Sequence, residues 1–257
     1  MDLSPVLTAW LALALCAALI TVAGALLSRY ADVIADKTGL GGTWVGLVLL
    51  ATVTSLPELV TGASAVVLAD APNLALGDIL GSCVFNLFLL TILDLLLREE
   101  SVFSRASRGH ILSAGFGVLL LGFIGFTLLL GGNAPQLAIG HLGAYSVVIV
   151  LIYAVAMRTV FRYERAERAA YTEKRAERYP HISLRQAVWR YAGAAAIVVV
   201  AATWLPFVGE ALAEAMGWHQ TFVGTLFLAA ATSLPEAVVT ISALRIGALD
   251  MAVSNLL

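Results

Sequence analysis

The sequence predicts an all-α polytopic membrane protein made of two inverted-topology repeats, and three observations carry that prediction. First, 60% of its 257 residues are hydrophobic and only 12% are charged, with a mean hydropathy of +0.92. Soluble domains average about 25% charged residues. Second, the apolar residues fall in blocks of about twenty, the length of a membrane-crossing helix. Third, the pentapeptide Thr-Ser-Leu-Pro-Glu occurs twice, at Thr54–Glu58 and Thr232–Glu236, each time inside such a block. A carboxylate at that depth costs about 2.5–3.5 kcal/mol on insertion scales. Two of them in identical surroundings point to a shared task.

Taken in order, the first span runs from about Leu3 to Ser28. The residues before it lack the positive n-region of a signal peptide, and the run is too long for one. A polar link, Arg29–Gly42, leads to span two, Thr43–Ala69, which holds the first motif. Asp70-Ala71-Pro72-Asn73 reads as a turn. Span three covers about Leu74–Leu97, and the link Arg98–Arg108 is basic. Span four ends near Leu130 at a Gly131–Pro135 turn, and span five ends near Val160. Span six is read as Tyr191–Phe207, followed by an amphipathic link, Gly209–Gln220. Span seven, Thr221–Leu244, holds the second motif, and an eighth begins at Asp250. The domains expected are a first repeat over 1–160, a charged cytoplasmic linker over 161–190 and a second repeat over 191–257.

Lysine and arginine placement sets the orientation. Nine of the fifteen Lys and Arg lie between Arg158 and Arg190, while the turns at Asp70–Asn73 and Gly131–Pro135 carry none. The basic links alternate with neutral ones, which places the N-terminus outside and the charged segment in the cytoplasm. That segment also carries Glu164, Glu167, Glu173 and Glu177, as a solvated helical hairpin or linker would. The net charge of −2 gives no field that would draw nucleic acid. Cys16 and Cys83 both lie in apolar spans and form no CxxC, so they read as small core thiols.

The motifs belong to a longer duplication. Gly39, Thr43, Val45 and Gly46 recur as Gly217, Thr221, Val223 and Gly224, at the same offset of 178 residues that relates the two pentapeptides. The likeness resumes, one residue shorter, at Ala75–Leu80 against Ala252–Leu257. Span seven comes five spans after span two, so the copies run in opposite directions, an arrangement that puts an ion site at the midplane between halves. The chemistry suits a cation. Pro57 and Pro235 lack an N–H, so each is expected to kink its helix and free the carbonyl of Val53 or Ala231. Thr54, Ser55 and Glu58 offer hydroxyl and carboxylate oxygens within one turn, as do Thr232, Ser233 and Glu236. Hard cations want six to eight such oxygens with negative charge among them.

In span three, Asp78, Ser82 and Asn86 share one face, expected to turn toward span two. They serve either as ligands or as interhelical hydrogen-bond partners, with Gly77 and Gly81 permitting close approach. Asp94 is expected to pair with Arg98, one turn on. His110, His141, His181 and His219 have no metal spacing and are assigned no role. No nucleophile, metal triad or phosphate loop accompanies the glutamates, so no enzyme activity and no resident cofactor are expected.

The paired motifs, with Gly77-Asp78-Ile79-Leu80-Gly81-Ser82-Cys83-Val84-Phe85-Asn86 after the first, resemble the membrane region of the sodium/calcium exchangers in the calcium/cation antiporter superfamily. The resemblance implies ten helices in two inverted five-helix halves, of which about seven and a half are present, so the chain is expected to be part of a longer protein. It implies Glu58 and Glu236 as central calcium ligands. It adds Thr54, Ser55, Thr232 and Ser233 as calcium and sodium ligands, and Ser82 and Asn86 from span three. The sequence departs from the pattern at Val53 and Ala231, where glycine is usual, and at Asp78 and Cys83, where asparagine is usual. The expected function is a Ca2+/Na+ antiporter of the inner (plasma) membrane working by alternating access, with lipid and inorganic cations as its partners. The alternatives are Ca2+/H+ exchange, because burial favours the protonated carboxyl, and a non-transporting fragment.

Overall fold

The computed structural model describes residues 3–38, 53–97, 101–105, 108–130, 138–139, 142–168, 179–245 and 249–257. In chain order the helices are α1 (Leu3–Lys37), α2 (Leu56–Val67), α3 (Pro72–Leu96), the single turn α4 (Val102–Arg105), α5 (Arg108–Leu130), α6 (Ala144–Arg168), α7 (Leu184–Met216), α8 (Gln220–Arg245) and α9 (Leu249–Ser254). A two-residue antiparallel ladder, Ala138–Ile139 with Leu142–Gly143, precedes α6. Among the described residues six helices are long and apolar enough to cross a membrane: α1, α3, α5, α6, α7 and α8. The all-α polytopic class is thus the one observed.

The helices fall into two compact units, Arg105–Lys174 with Leu257, and Met1–Ser104 with Arg175–Leu256. In the smaller one α5 packs on α6. The larger one holds both motifs. Its frame is the pair α1 and α7, each longer than the sequence suggested. The Arg29–Gly42 link is helical as far as Lys37 because Tyr30 and Val33 are buried against Ala187. The Gly209–Gln220 link is helical as far as Met216 because Leu212 and Ala213 are core residues. The two helices run antiparallel: Leu13 clusters with Leu205 and Leu212, Ala23 and Leu27 with Ala194 and Val198, and Val33 with Ala187. A capping box at Ser183 and Gln186 starts α7, and Gly217, at φ +67°, ends it.

At the Lys37 end of α1, Tyr179 donates to Asp32 Oδ2 at 2.6 Å, and Arg190 donates to Tyr30 Oη at 3.2 Å while lying over its ring. At the opposite end Trp10, Trp218, Phe222 and Phe227 pack edge-on or stacked. Residues 169–178 of the predicted 161–190 linker lie outside the described residues. So do the span-two residues 43–52 and the Gly131–Pro135 turn.

Two further directions follow from contacts. The turn at Asp70, held at φ +51°, folds α3 back along α2. Along α3 and α8 the partners advance together. Gly77 meets Thr221 and Gly224, Ser82 meets Thr232, and Leu93 clusters with Ala243. Hence α3 and α8 are parallel, and α2 runs opposite to α8.

Candidate functional site

The identical pentapeptides fold differently. In the first, the chain turns at Ser55 (φ −86°, ψ 10°) and α2 starts anew at Leu56. Pro57 therefore sits in a first turn, where its missing N–H leaves no helical acceptor unserved. Helix lies on both sides of Ser55, at Val53–Thr54 and from Leu56, so the interruption expected at this proline takes the form of a break at Ser55. Ser55 is exposed, and its carbonyl accepts from the Leu59 amide at 3.1 Å. Thr54 is buried. In the second, helix is continuous through Pro235. The backbone of α1 lies directly on that proline, since a Cβ at Gly24 would stand 2.7 Å from Pro235 Cγ. Thr232 and Ser233 are wholly buried, and Glu236 is 2% exposed. One wide π turn, Gly224–Leu228, precedes the motif.

That turn fits against α3. A Cβ at Gly77 would lie 2.6 Å from the Thr221 carbonyl oxygen, and one at Gly81 would lie 2.7 Å from both Thr225 Cα and Ala229 Cβ. Without those carbons the two backbones touch. The consequence corrects the sequence-based expectation for span three. Its polar face turns to the second motif on α8, because the partner is chosen by where backbone can approach backbone.

The contact assembles an oxygen cluster. Thr232 Oγ1 is 3.2 Å from Asp78 Oδ1, 3.3 Å from Ser82 Oγ, 3.1 Å from the Leu228 carbonyl and 3.2 Å from the Ala229 carbonyl. One hydroxyl proton serves one acceptor at a time, so this group of oxygens is short of positive charge. The distances also exceed the usual O–H···O value of about 2.7–2.8 Å. The next residue, Ser233, donates to Glu58 Oε1 at 3.2 Å. Adjacent residues of the second motif thus each hold a carboxyl from the first half of the chain.

Glu58 interacts electrostatically with both Asp78 and Glu236. Glu58 Oε2, Asp78 Oδ2, Glu236 Oε2 and Asn86 Oδ1 are buried and accept no hydrogen bond. No basic side chain among the described residues contributes to the electrostatics of these carboxyls. A buried ion left in that condition costs several kcal/mol, and a bound cation or proton removes that cost. Among the described residues no three His, Cys, Asp or Glu side chains close on one point. Hydroxyls, carbonyls and the Asn86 amide are therefore the remaining donors. Eight of the nine predicted site residues are wholly or partly buried in this unit, and Ser55 is exposed.

Sequence reasoning missed three contributors. Asn255 donates to the Glu236 carbonyl and to Thr240 Oγ1, both at 3.1 Å. Its signal was in the duplication, where it is the counterpart of Asp78. Thr61 and Ser64 tie α2 to the Ala202 and Thr203 carbonyls of α7, at 3.3 and 2.7 Å. Asp94 accepts from Ser101 Oγ at 3.0 Å and from the Val102 amide at 2.7 Å, anchoring the start of α4. Its expected partner, Arg98, lies outside the described residues.

Fold and site together define a multi-pass integral membrane protein with an acidic, hydroxyl-lined centre of the kind that handles cations. The sequence matches the family described as "Sodium/calcium exchanger protein" over residues 8–162 and 187–257, and the chain belongs to that family. It is similar to the inner membrane protein YrbG of Escherichia coli (strain K12), with 25% identity over 228 residues, covering 88% of this chain and 68% of that protein. No solved structure matches.

Proposed function

We propose that the chain exchanges Ca2+ for Na+ across the inner membrane by alternating access, with its N-terminus outside. The two halves are inverted repeats, a reading supported by the opposite directions of α2 and α8. Glu58 and Glu236 are the central ligands. Thr54, Ser55, Thr232, Ser233, Ser82, Asn86 and Asp78 supply further oxygens. The observation that carries this is the pairing of Thr232 with Asp78 and of Ser233 with Glu58, with the second oxygen of every carboxyl unpaired. A divalent ion or its monovalent replacements neutralise the site and let it switch, whereas a site holding bare charge stays put.

Proton coupling is the second reading. It is favoured by Asp78, a third carboxyl that is 0% exposed. Calcium uptake into inverted membrane vesicles, driven by a sodium gradient or by a pH gradient, separates the two. Glu58→Gln and Glu236→Gln are each expected to abolish it. Absence of calcium flux under either gradient overturns both readings.

A further inference from the structure

The exchange site uses oxygen throughout, yet a sulfur stands at its edge. Cys83 is half-buried on α3 and interacts electrostatically with Glu58. Helix register puts the two at one level. Ile79 Cδ1 lies 3.6 Å from where a Cβ on Gly62 would stand, and α2 and α3 run antiparallel. Glu58 is four residues before Gly62, and Cys83 is four residues after Ile79. Asn86 follows within one turn of Cys83.

Two oxygens here are unspent. Ser233 occupies Glu58 Oε1, while Glu58 Oε2 and Asn86 Oδ1 are buried without a hydrogen-bond partner. Register therefore brings a thiol, a carboxylate oxygen and an amide oxygen within about one turn of one another along α2 and α3. Calcium and sodium gain nothing from sulfur, whereas soft and borderline divalent ions prefer it.

We propose that Cys83, Glu58 and Asn86 form a binding site for a soft divalent cation of the Cd2+ or Zn2+ class. The thiol releases its proton as the sulfur–metal bond forms, and no electrons change hands. Because Glu58 is shared, such an ion competes with calcium; this consequence rests on the exchange reading, while the binding itself does not.

The test titrates Cd2+ alone into the purified full chain in detergent and follows the ultraviolet thiolate-to-cadmium charge-transfer band. Wild type is expected to develop the band with one Cd2+ per chain. Cys83→Ser and Cys83→Ala, two independent thiol-free variants, lose it, and Cys16→Ser, altered in α1, keeps it. Glu58→Gln weakens Cd2+ binding by no less than the roughly 10–100-fold that losing a mere supporting partner costs. A band that survives Cys83→Ser, or unchanged Cd2+ affinity in Glu58→Gln, overturns the proposal. In vesicles, Cd2+ blocks calcium uptake by wild type, and Cys83→Ser requires about tenfold more or higher. A band without calcium flux removes the exchange reading and leaves this site standing; flux without a band does the reverse.

Discussion

Replacing Gly81 by alanine tests whether the α3–α8 seam builds the site. The added Cβ would lie 2.7 Å from Thr225 Cα and from Ala229 Cβ, where ordinary contact begins at 3.4 Å. The obstacles are backbone and a short side chain, so neither can swing away. The Thr225 carbonyl oxygen stands closer still, so the helices must part by at least about 0.7 Å, the difference between those two distances. Ser82 lies next in sequence, and its 3.3 Å contact with Thr232, like the 3.2 Å contact from Thr232 to Asp78, would stretch to about 4 Å. At that length a hydrogen bond is gone. Overpacking costs about 1–3 kcal/mol, and a buried acceptor left unpaired costs about 1–3 kcal/mol more. Gly81→Ala should therefore melt lower than wild type in detergent and lose most calcium uptake. Gly115→Ala on α5, where nothing lies within 4 Å of the new carbon, should do neither. A Gly81→Ala chain that melts and transports like wild type refutes the reasoning.

Other perturbations separate site from scaffold. Thr232→Val keeps shape but removes the hydroxyl at the middle of the oxygen cluster; calcium uptake should fall at least tenfold, by about 1.4 kcal/mol or more, and Thr232→Ser should restore much of it. Tyr179→Phe deletes the 2.6 Å hydrogen bond to Asp32 and should cost about 0.5–1.5 kcal/mol of stability with uptake intact, read by thermal melting alongside flux. Asp94→Ala frees the start of α4 and should speed amide exchange at Val102, whose N–H it now holds at 2.7 Å, while Asp94→Asn, which keeps an acceptor oxygen, should exchange more slowly than alanine.

What the sequence made legible, and what it hid, have physical causes. Glu58, Thr232, Ser233 and Glu236 could be named because a carboxylate in an apolar span is costly, and one repeated at a fixed offset has a reason to be there. The burial of Asp78 and Ser82 followed from helical spacing. Their partner did not, because periodicity assigns a face and leaves open which helix covers it. That choice was made by Gly77, Gly81 and Gly224, three residues whose meaning lies in the carbons they lack. The π turn had no marker in Gly224-Thr225-Leu226-Phe227-Leu228. At Pro57 the expected interruption is a break at Ser55, two residues before the proline, whereas at Pro235 the same five residues stay helical. The ends of α1 and α7 were set too short because their polar residues flank apolar ones that the partner helix buries.

The duplication also shows that a motif does not fix its own role. Five identical residues give an exposed Ser55 in one copy and a wholly buried Ser233 in the other. The counterpart of Asp78, a carboxyl facing Thr232, is Asn255, an amide spent on the Glu236 carbonyl and Thr240. The halves therefore differ by one potential negative charge at equivalent positions, and the difference falls beside Glu58. That glutamate is the common neighbour of Ser233, Asp78, Cys83 and Glu236. A charge that arrives at Glu58 is felt by every other group in the centre. Low dielectric makes the coupling strong there, and with no basic partner among the described residues an incoming cation would supply the balance.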